Sequence, residues 1–423
     1  MVSTVEPSVS LRIVRPPGKA KTPRILYLSP YWPHRLTSAS EVRALNVARA
    51  LRECAELFEF VVVGGEGASE EWIASPHKEF KVSCSVPVSS QPNRTLSQKL
   101  RSILDPRSHY PDNYGVERKA LREVRIIAEQ CDLVWFCKLR TANNFPTWMW
   151  PRSVVDIDDL PSMYERSVLS IEKGLKNRFS SATRLIGQVR RERLLGERFT
   201  SLAVCSDEDK QYLEKLGVKT PLHVIPNGYS EPAAPPVRKP ATPPRIGFIG
   251  IFNYEPNLEG IRWFTKECWP LIRSEVPGVR LRLIGRCSDG PSKPPGADID
   301  GLGWVADAAA EMATWSAMIV PIRRGAGTRG KIAHGLSLKC PIVSTVLGAY
   351  GYQFTNRREA YLADSAVDFA NACIQAIRQP DEAAAMADRA WQLFLEKWTW
   401  EAIKPRIWSA VEDALRRSTE LRK

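Results

Sequence analysis

Short apolar segments alternate with amphipathic segments along the first half of the chain. Residues 24–30, RILYLSP, are large and apolar, a polar loop follows, and residues 41–54 have apolar side chains at helical spacing before a second apolar run at 58–65. This order predicts a parallel sheet with a right-handed crossover. Because ligands bind at the carboxyl ends of such strands, the polar residues that end each strand are of interest. Further predicted strands lie at 131–138, 153–159 and 201–206.

The alternation stops at residues 230–244, SEPAAPPVRKPATPP, which have no apolar periodicity and are predicted to form a linker. It then resumes, with a helix predicted across 257–272. We therefore expect an α/β protein with two Rossmann-like domains, whose parallel sheets face each other across a cleft. Strands of the second half are predicted at 245–250, 279–285, 316–322 and 340–345. The expected divisions are a flexible leader at 1–23, an acceptor-side domain at 24–229, the linker, a donor-side domain at 245–397, and a helix in 398–423 that returns to the first domain.

The amino-acid composition is consistent with two domains and adds little to the predicted architecture. The chain has 423 residues, of which 43% are hydrophobic, and this is too long for one core of ordinary size. Nine scattered cysteines form no CxxC or Cys/His spacing, which favours reduced thiols in a cytosolic protein. No segment approaches about 18 consecutive apolar residues, so a soluble, cytoplasmic protein is expected.

A formal net charge of +13 indicates an anionic partner. The basic run at 172–198 is broadly helical and has two interpretations: a solvated helix face, or a helix near anionic lipid or an anionic acceptor. The second would place the protein peripherally at the inner membrane face. No RNA- or DNA-binding motif supports a nucleic-acid partner. The apolar stripe of this run would consist of Leu175, Phe179, Leu185, Ile186, Val189 and Leu194.

The sequence GAGTRGK at 325–331 has the residue types of a phosphate site. Gly325, Gly327 and Gly330 permit close backbone approach, Thr328 offers a hydroxyl and a helix N-cap, and Arg329 and Lys331 add positive charge. The alternative is a solvated loop with incidental charge. Neither a P-loop nor the dinucleotide fingerprint GxGxxG occurs here, which argues against an ATPase and against NAD binding.

The order of several motifs resembles the donor-binding half of retaining, family 4-like glycosyltransferases of the GT-B fold. The first half is similar to this family more weakly, through YLSPYWP at 27–33 and DIDD at 156–159. The motifs of the second half are VIPNGY at 224–229, FIGIFNYEPNLEGIRWF at 248–264, LIGR at 283–286, the segment from Pro321 to Tyr352, and WTWE at 398–401.

This resemblance implies transfer of a sugar from a nucleotide diphosphate sugar, in polysaccharide or glycoconjugate synthesis. Arg329 and Lys331 would neutralise the departing diphosphate, so no metal or other cofactor is expected. The acceptor would be a sugar, a lipid-linked sugar or a small molecule. The residues expected to bind the nucleotide are Gly250, Asn253, Arg286, Gly327, Thr328 and His334.

The chain departs from the family at two positions. Members commonly have two glutamates eight positions apart, the second of which binds the ribose hydroxyls, and the corresponding residues here are Ala326 and His334. A neutral histidine accepts one hydrogen bond and does not replace a bidentate carboxylate. Either the donor is held differently, or the chain is an inactive copy that serves as a subunit or nucleotide-sugar sensor. A core-facing or solvated His334 is a third interpretation, and a nucleotide-sugar epimerase is a further alternative for the whole chain.

Acceptor chemistry is less well marked. His34 lies where the family has a glycine-rich loop near the donor phosphate and the acceptor, but LTSAS replaces those glycines. Within DIDD, Asp156 and Asp158 could orient an acceptor hydroxyl, cap a helix or bind a metal. Asp158 and His109 are candidates for proton handling, and no catalytic base is assigned.

Overall fold

In this computed structural model the chain is described at residues 22–34, 36–64, 77–90, 95, 97, 105–107, 114–234 and 237–420. The expected leader at 1–23 lies almost entirely outside these residues, and so does His109.

The first half of the chain forms a parallel sheet between two layers of helices. Among the described residues the sheet has seven strands in the order β3-β2-β1-β6-β7-β8-β9, and β4 pairs with β5 in a separate antiparallel ribbon. The strands are β1 (Arg24–Ser29), β2 (Leu57–Val63), β3 (Val82–Val86), β4 (Val88–Ser90), β5 (Tyr114–Val116), β6 (Leu133–Cys137), β7 (Trp150–Ile157), β8 (Phe199–Val204) and β9 (Leu222–Val224). The helices are α1 (Ala39–Cys54), α2 (Arg118–Gln130), α3 (Leu139–Asn143), α4 (Pro161–Ile171), α5 (Leu175–Glu192), α6 (Leu195–Arg198) and α7 (Asp207–Lys215).

The central strands are apolar on both faces because helices cover both faces of the sheet. Strand β6, LVWFC, is buried at every position. Trp135 and Phe136 lie in the cores on its two opposite faces. This arrangement explains why the strands of this chain appear in the sequence as continuous apolar runs rather than as an alternation.

The second half repeats the architecture with a smaller sheet. Its described strands are parallel, in the order β12-β11-β10-β13-β14-β15. They are β10 (Arg245–Ile249), β11 (Arg280–Ile284), β12 (Ile299–Gly301), β13 (Ala317–Val320), β14 (Ile342–Ser344) and β15 (Tyr361–Leu362). The helices are α8 (Glu255–Trp263), a π-helical turn (Phe264–Cys268), α9 (Trp269–Glu275), α10 (Ala308–Ala313), α11 (Gly330–Ser337), α12 (Ala366–Arg378), α13 (Pro380–Lys397) and α14 (Trp400–Glu420).

The last helix, α14, packs against the first half of the chain. Ile403, Ile407 and Val411 are buried in the same core as the residues of α1 and β1. The indole N–H of Trp408 donates to the carbonyl of Ala50 over 2.8 Å. The chain therefore crosses between the domains twice, once through the linker and once before α14.

The two domains meet along a cleft at the carboxyl ends of both sheets. The N–H of Gly325 donates to Ser167 Oγ over 2.8 Å, and the hydroxyl of Tyr350 donates to Asp209 over 2.8 Å. This α/β architecture, with two parallel sheets facing a cleft, confirms the predicted fold class. Within the described residues, no helix is both long and apolar enough to cross a bilayer.

Candidate functional site

The glycine turn predicted to bind phosphate lies between β13 and α11, directly against the other domain. Gly327 has a φ of 69°, and a Cβ placed on it would lie 1.9 Å from the Asp159 carboxylate and 2.7 Å from the carbonyl of Asp158. Only glycine permits this approach. The turn is therefore part of the floor of the cleft and is not a loop in bulk solvent.

The side chain of Lys331, in the first turn of α11, lies against the end of β10. Its ammonium donates to Asn257 Oδ1 over 2.8 Å and lies 3.9 Å from the centre of the Phe248 ring. A Cβ on Gly250 would come within 3.1 Å of the same nitrogen. Burial, followed by the charge of Arg329, holds the pKa of Lys331 well below its usual value.

Arg329 caps the turn with its own side chain. Its guanidinium donates to the carbonyl of Gly327 over 2.7 Å and to that of Ala326, while Nη2 is buried without a hydrogen-bond partner among the described residues. Burial lowers the pKa of Arg329, although the charge of Asp159 opposes this. Neither Arg329 nor Lys331 forms an ion pair within 4.0 Å in the described part of the chain. Two adjacent half-buried cations without a carboxylate partner would be stabilised by a bound anion.

A second helix N-terminus faces this pair from the first domain. Helix α1 begins after Ser38, whose hydroxyl accepts a hydrogen bond from the N–H of Glu41. A Cβ on Gly330 would lie 2.9 Å from that of Ala39, so α1 and α11 start side by side across the cleft. Both ends carry partial positive charge, which makes the gap between them favourable for an anion.

Beneath the turn, a buried polar network joins the two sheets. Arg43 makes a bidentate ion pair with Asp156, at 2.7 and 3.1 Å, and donates to the carbonyl of Pro226 over 3.0 Å. Asn227 Nδ2 donates to Asp158 Oδ1 over 3.0 Å and to the hydroxyl of Thr328 over 2.9 Å. The network therefore fixes the end of β7 relative to the glycine turn of the other domain.

Asp158 is held by several partners at once. Lys138 lies 2.8 Å from its carboxylate, and the hydroxyl of Ser40 donates to it over 3.1 Å. Although burial raises its pKa, the charges of Lys138 and Arg43 hold the pKa of Asp158 below its usual range. Asp158 is thus ionised at neutral pH and holds Ser40 and Asn227 by hydrogen bonds at the base of the cleft.

Asp159 differs from its neighbours in the same motif. Its side chain is exposed in the cleft beside Gly327, and it has no hydrogen bond or ion pair among the described residues. Although the carboxylate is open to the cleft, the surrounding protein atoms limit its hydration, and this effect, together with the charge of Asp158, raises its pKa, while Lys138 and Arg329 oppose the shift. Asp159 is therefore the carboxylate of DIDD that is available to a bound molecule.

Comparison with known proteins gives a family match for part of the second half of the chain. No curated protein sequence matches the chain. Residues 243–379 match the family model described as "Glycosyl transferases group 1". This segment is therefore similar to the glycosyl transferases of group 1.

Solved structures with the same fold span almost the whole chain. Sucrose-phosphate synthase from Thermosynechococcus elongatus is 13% identical, with a TM-score of 0.64 over 95% of this chain and 100% of that one. A glycosyltransferase from Rickettsia africae is 12% identical, with a TM-score of 0.59 over 93% and 99%. Anabaena HepE in complex with UDP is 14% identical, with a TM-score of 0.57 over 92% and 99%. The fold of this protein is GT-B.

Within the segment that matches the family model, His334 packs as an aromatic side chain. Its ring stacks on that of Tyr229, with centres 4.4 Å apart and an interplanar angle of 14°. Burial lowers its pKa to about 4, so the imidazole is neutral at pH 7. Ala326, the other departure from the family pattern, lines a cavity of about 190 Å³ with Met163 and Leu347.

The remaining candidates lie on both domains. Gly250 lies beside the ammonium of Lys331, whereas Asn253 and Arg286 are exposed. The carbonyl of Arg286 accepts a hydrogen bond from the N–H of Phe252 over 2.9 Å, which joins the loops after β10 and β11. His34 lies on the first domain, where its ring is perpendicular to that of His77 at 5.0 Å.

Sequence reasoning missed four residues of the site: Lys138, Asp159, Asn227 and Asn257. Each is a polar residue that follows a strand or stands near the start of a helix at the cleft. Their signal was present in the sequence, since Lys138 ends the run CDLVWFCK and Asn227 is the polar residue of VIPNGY. No group of three or more metal-ligating side chains occurs among the described residues.

Proposed function

We propose that this protein is a glycosyltransferase that moves a sugar from a nucleotide diphosphate sugar to an acceptor, in polysaccharide or glycoconjugate synthesis. One observation carries the proposal: Arg329 and Lys331 lie together, without a carboxylate partner in the described residues, at the floor of a GT-B cleft. A bound diphosphate would supply the negative charge that neutralises these two cations.

The diphosphate would lie on the turn from Gly327 to Lys331, between the starts of α1 and α11. Arg329 would exchange its bonds to the turn carbonyls for bonds to phosphate, and Lys331 would bind phosphate while it keeps its hydrogen bond to Asn257. Both cations then stabilise the charge that develops on the diphosphate as the glycosidic bond breaks. Since two cations and two helix ends supply the positive charge, we propose that the reaction needs no metal.

The nucleoside would occupy the side of the cleft formed by Gly250, Asn253, Arg286 and His334. Neutral His334 would offer one ring nitrogen to a ribose hydroxyl while its ring remains stacked on Tyr229. Loop residues after β10 and β11 would contact the base. HepE from Anabaena is described in complex with UDP and with UDP-glucose, which supports a uridine nucleotide as the first probe.

Asp159 would face the acceptor. It is the free carboxylate next to the phosphate turn, so it would orient an acceptor hydroxyl, while the departing phosphate takes the proton of that hydroxyl and the reaction retains configuration. The acceptor would be a sugar, a lipid-linked sugar or a small molecule. We place the protein in the cytoplasm, peripherally at the inner membrane face.

A non-catalytic nucleotide-sugar sensor is the second candidate, and the Ala326 and His334 pair favours it. A neutral stacked histidine holds a ribose less firmly than a carboxylate does. Both candidates bind nucleotide, so binding alone does not separate them.

The deciding experiment measures release of nucleoside diphosphate from UDP-glucose, GDP-mannose and ADP-glucose, with and without a mixture of membrane lipids and oligosaccharides. A transferase releases diphosphate faster when acceptor is present, and Asp159→Asn removes the acceleration. Binding of a nucleotide sugar with no acceptor-dependent release would favour the sensor. If none of the three donors shifts the melting temperature, the proposal fails for both candidates.

A further inference from the structure

Helix α5 presents an apolar stripe to solvent. Leu175, Phe179 and Ile186 are 89%, 74% and 56% exposed. Their spacing of four and seven residues places all three on one side of an α-helix. Single exposed apolar residues are ordinary on a protein surface, but three aligned along one helix form a contact surface.

The opposite side of α5 fixes its orientation. Helices α4 and α5 pack as a hairpin, in which Arg184 of α5 pairs with Glu165 of α4 at 3.0 Å. Ser181 and Glu192 are buried on this inner side, and the N–H of Ser162 donates to Glu192 over 2.8 Å. The apolar stripe therefore points away from the body of the protein.

Positive charge surrounds the stripe. Residues 172–198 contain eight Lys or Arg residues and three Glu residues. Lys173 and Lys176 are exposed next to Leu175, and no ion pair within 4.0 Å holds either of them among the described residues. Arg178 donates to the carbonyls of Leu169 and Glu172, so it also rigidifies the hairpin turn. A narrow apolar stripe between cations is complementary to a surface with negative head groups above acyl chains.

The hairpin also borders the cleft. Helix α4 contributes Met163, Arg166 and Ser167 to the cavity of about 190 Å³ that it shares with Gly325 and Ala326 of the glycine turn. A membrane surface in contact with α5 would therefore lie close to the cleft between the domains.

We propose that the outward face of α5 docks on an anionic lipid bilayer, with Leu175, Phe179 and Ile186 inserted between head groups and Lys173 and Lys176 paired with phosphates. A second copy of the chain fits poorly, because two such faces would bring like charges together. The proposal deepens the membrane location given above, and it does not depend on glycosyl transfer.

Flotation with vesicles tests this docking in the absence of any nucleotide or acceptor. The full chain should bind vesicles that contain phosphatidylglycerol and not vesicles of phosphatidylcholine alone. Phe179→Ser with Ile186→Ser should lower the partition coefficient by more than about tenfold, and Lys173→Gln with Lys176→Gln by about fivefold for each charge. Binding should weaken as salt is added, since exposed charges are screened.

The matched controls replace exposed residues of the other domain. Leu271→Ser with Val367→Ser removes two exposed apolar side chains, and Lys266→Gln removes an exposed cation, so these variants should bind the vesicles as the wild type does. Melting temperatures check that all variants fold. The proposal would be overturned by equal binding to both lipid compositions, by no binding to either, or by loss of binding in the controls. It would also be overturned if the chain formed dimers that the α5 substitutions dissociate.

Discussion

The three aspartates at the end of β7 have different environments although they are close in sequence. Asp156 is paired with Arg43, Asp158 is surrounded by Lys138, Ser40 and Asn227, and Asp159 faces the cleft. The sequence marks all of them as polar residues at a strand end, but it does not tell which side chain leaves the sheet toward the ligand. That choice depends on the partner domain, because Gly327 lies against Asp159 only when both halves are assembled.

Asp159→Asn tests this assignment. We expect kcat/KM for glycosyl transfer to fall by about a hundredfold, because a neutral amide accepts the hydrogen bond from the substrate hydroxyl less strongly than a carboxylate does. The affinity for UDP should rise by about two- to fivefold, since a negative charge next to the phosphate turn is removed. Steady-state kinetics and titration calorimetry measure the two effects. Loss of nucleotide binding together with activity would show instead that Asp159 supports the turn.

His334 makes stability depend on pH in the acidic range. Its folded-state pKa of about 4 lies below the usual value of 6.5, so the unfolded chain takes up a proton before the folded protein does as pH falls. The free energy of unfolding should therefore decrease by about 2 kcal/mol between pH 7 and pH 4.5 on account of this residue.

The matched variant is His334→Phe, which keeps a ring against Tyr229 and does not titrate. Urea unfolding at both pH values should show a smaller decrease for the variant than for the wild type. An identical decrease in both proteins would contradict a buried neutral His334.

At the scale of single elements, much of the fold follows from local pattern. Runs of β-branched and aromatic residues mark the strands, and helix α1 starts at the capping box of Ser38 and Glu41. The basic helix α5 is recognisable too, but only part of its expected apolar stripe faces solvent. Periodicity places residues on one side of a helix, and it does not determine whether that side meets α4 or water.

Glu192, at the end of α5, should have the opposite effect on stability. Burial raises its pKa to about 7, while its bonds with Ser162 oppose the shift. The folded protein then binds a proton more tightly than the unfolded chain, so stability falls as pH rises. Between pH 5 and pH 8 this carboxyl should lower the free energy of unfolding by about 2.5 kcal/mol.

In the Glu192→Gln variant, the decrease in the free energy of unfolding that Glu192 causes between pH 5 and pH 8 should disappear. Urea unfolding at the two pH values measures this. The neighbouring charged groups Arg166, Arg191, Arg198 and Asp209 are unchanged in the variant. A variant with the full wild-type dependence on pH would rule out Glu192 as its source.

For the whole molecule, the cleft depends on contacts between residues far apart in sequence. Thr328 accepts a hydrogen bond from Asn227, which is 101 residues away in sequence, and Tyr350 donates one to Asp209, which is 141 residues away. The resemblance to GT-B proteins predicted two facing domains, and the structure has them. The pairs that close the cleft carry no local pattern, so sequence alone did not identify them.

Loosening those contacts should open the cleft. Tyr350→Phe with Gln353→Ala removes the bonds to Asp209 and Asp207, at 2.8 and 3.1 Å, and should increase the radius of gyration measured by X-ray scattering. UDP should reverse the increase, because the proposed diphosphate site lies between the starts of α1 and α11, which belong to different domains. Tyr361→Phe, within the core of the second domain, is the control. An unchanged radius in the double variant would mean that these bonds do not hold the domains together.

The central claim is that Arg329 and Lys331 together bind the diphosphate of an activated sugar. Titration calorimetry with UDP, GDP and ADP on the wild type and on Arg329→Ala with Lys331→Ala tests it most directly, and Lys266→Ala with Arg273→Ala removes two exposed cations of the same domain as a control. We predict that the tightest of the three nucleotides loses about a hundredfold or more in affinity in the first variant and none in the control. Equal affinity in the wild type and the Arg329 and Lys331 variant would contradict the account.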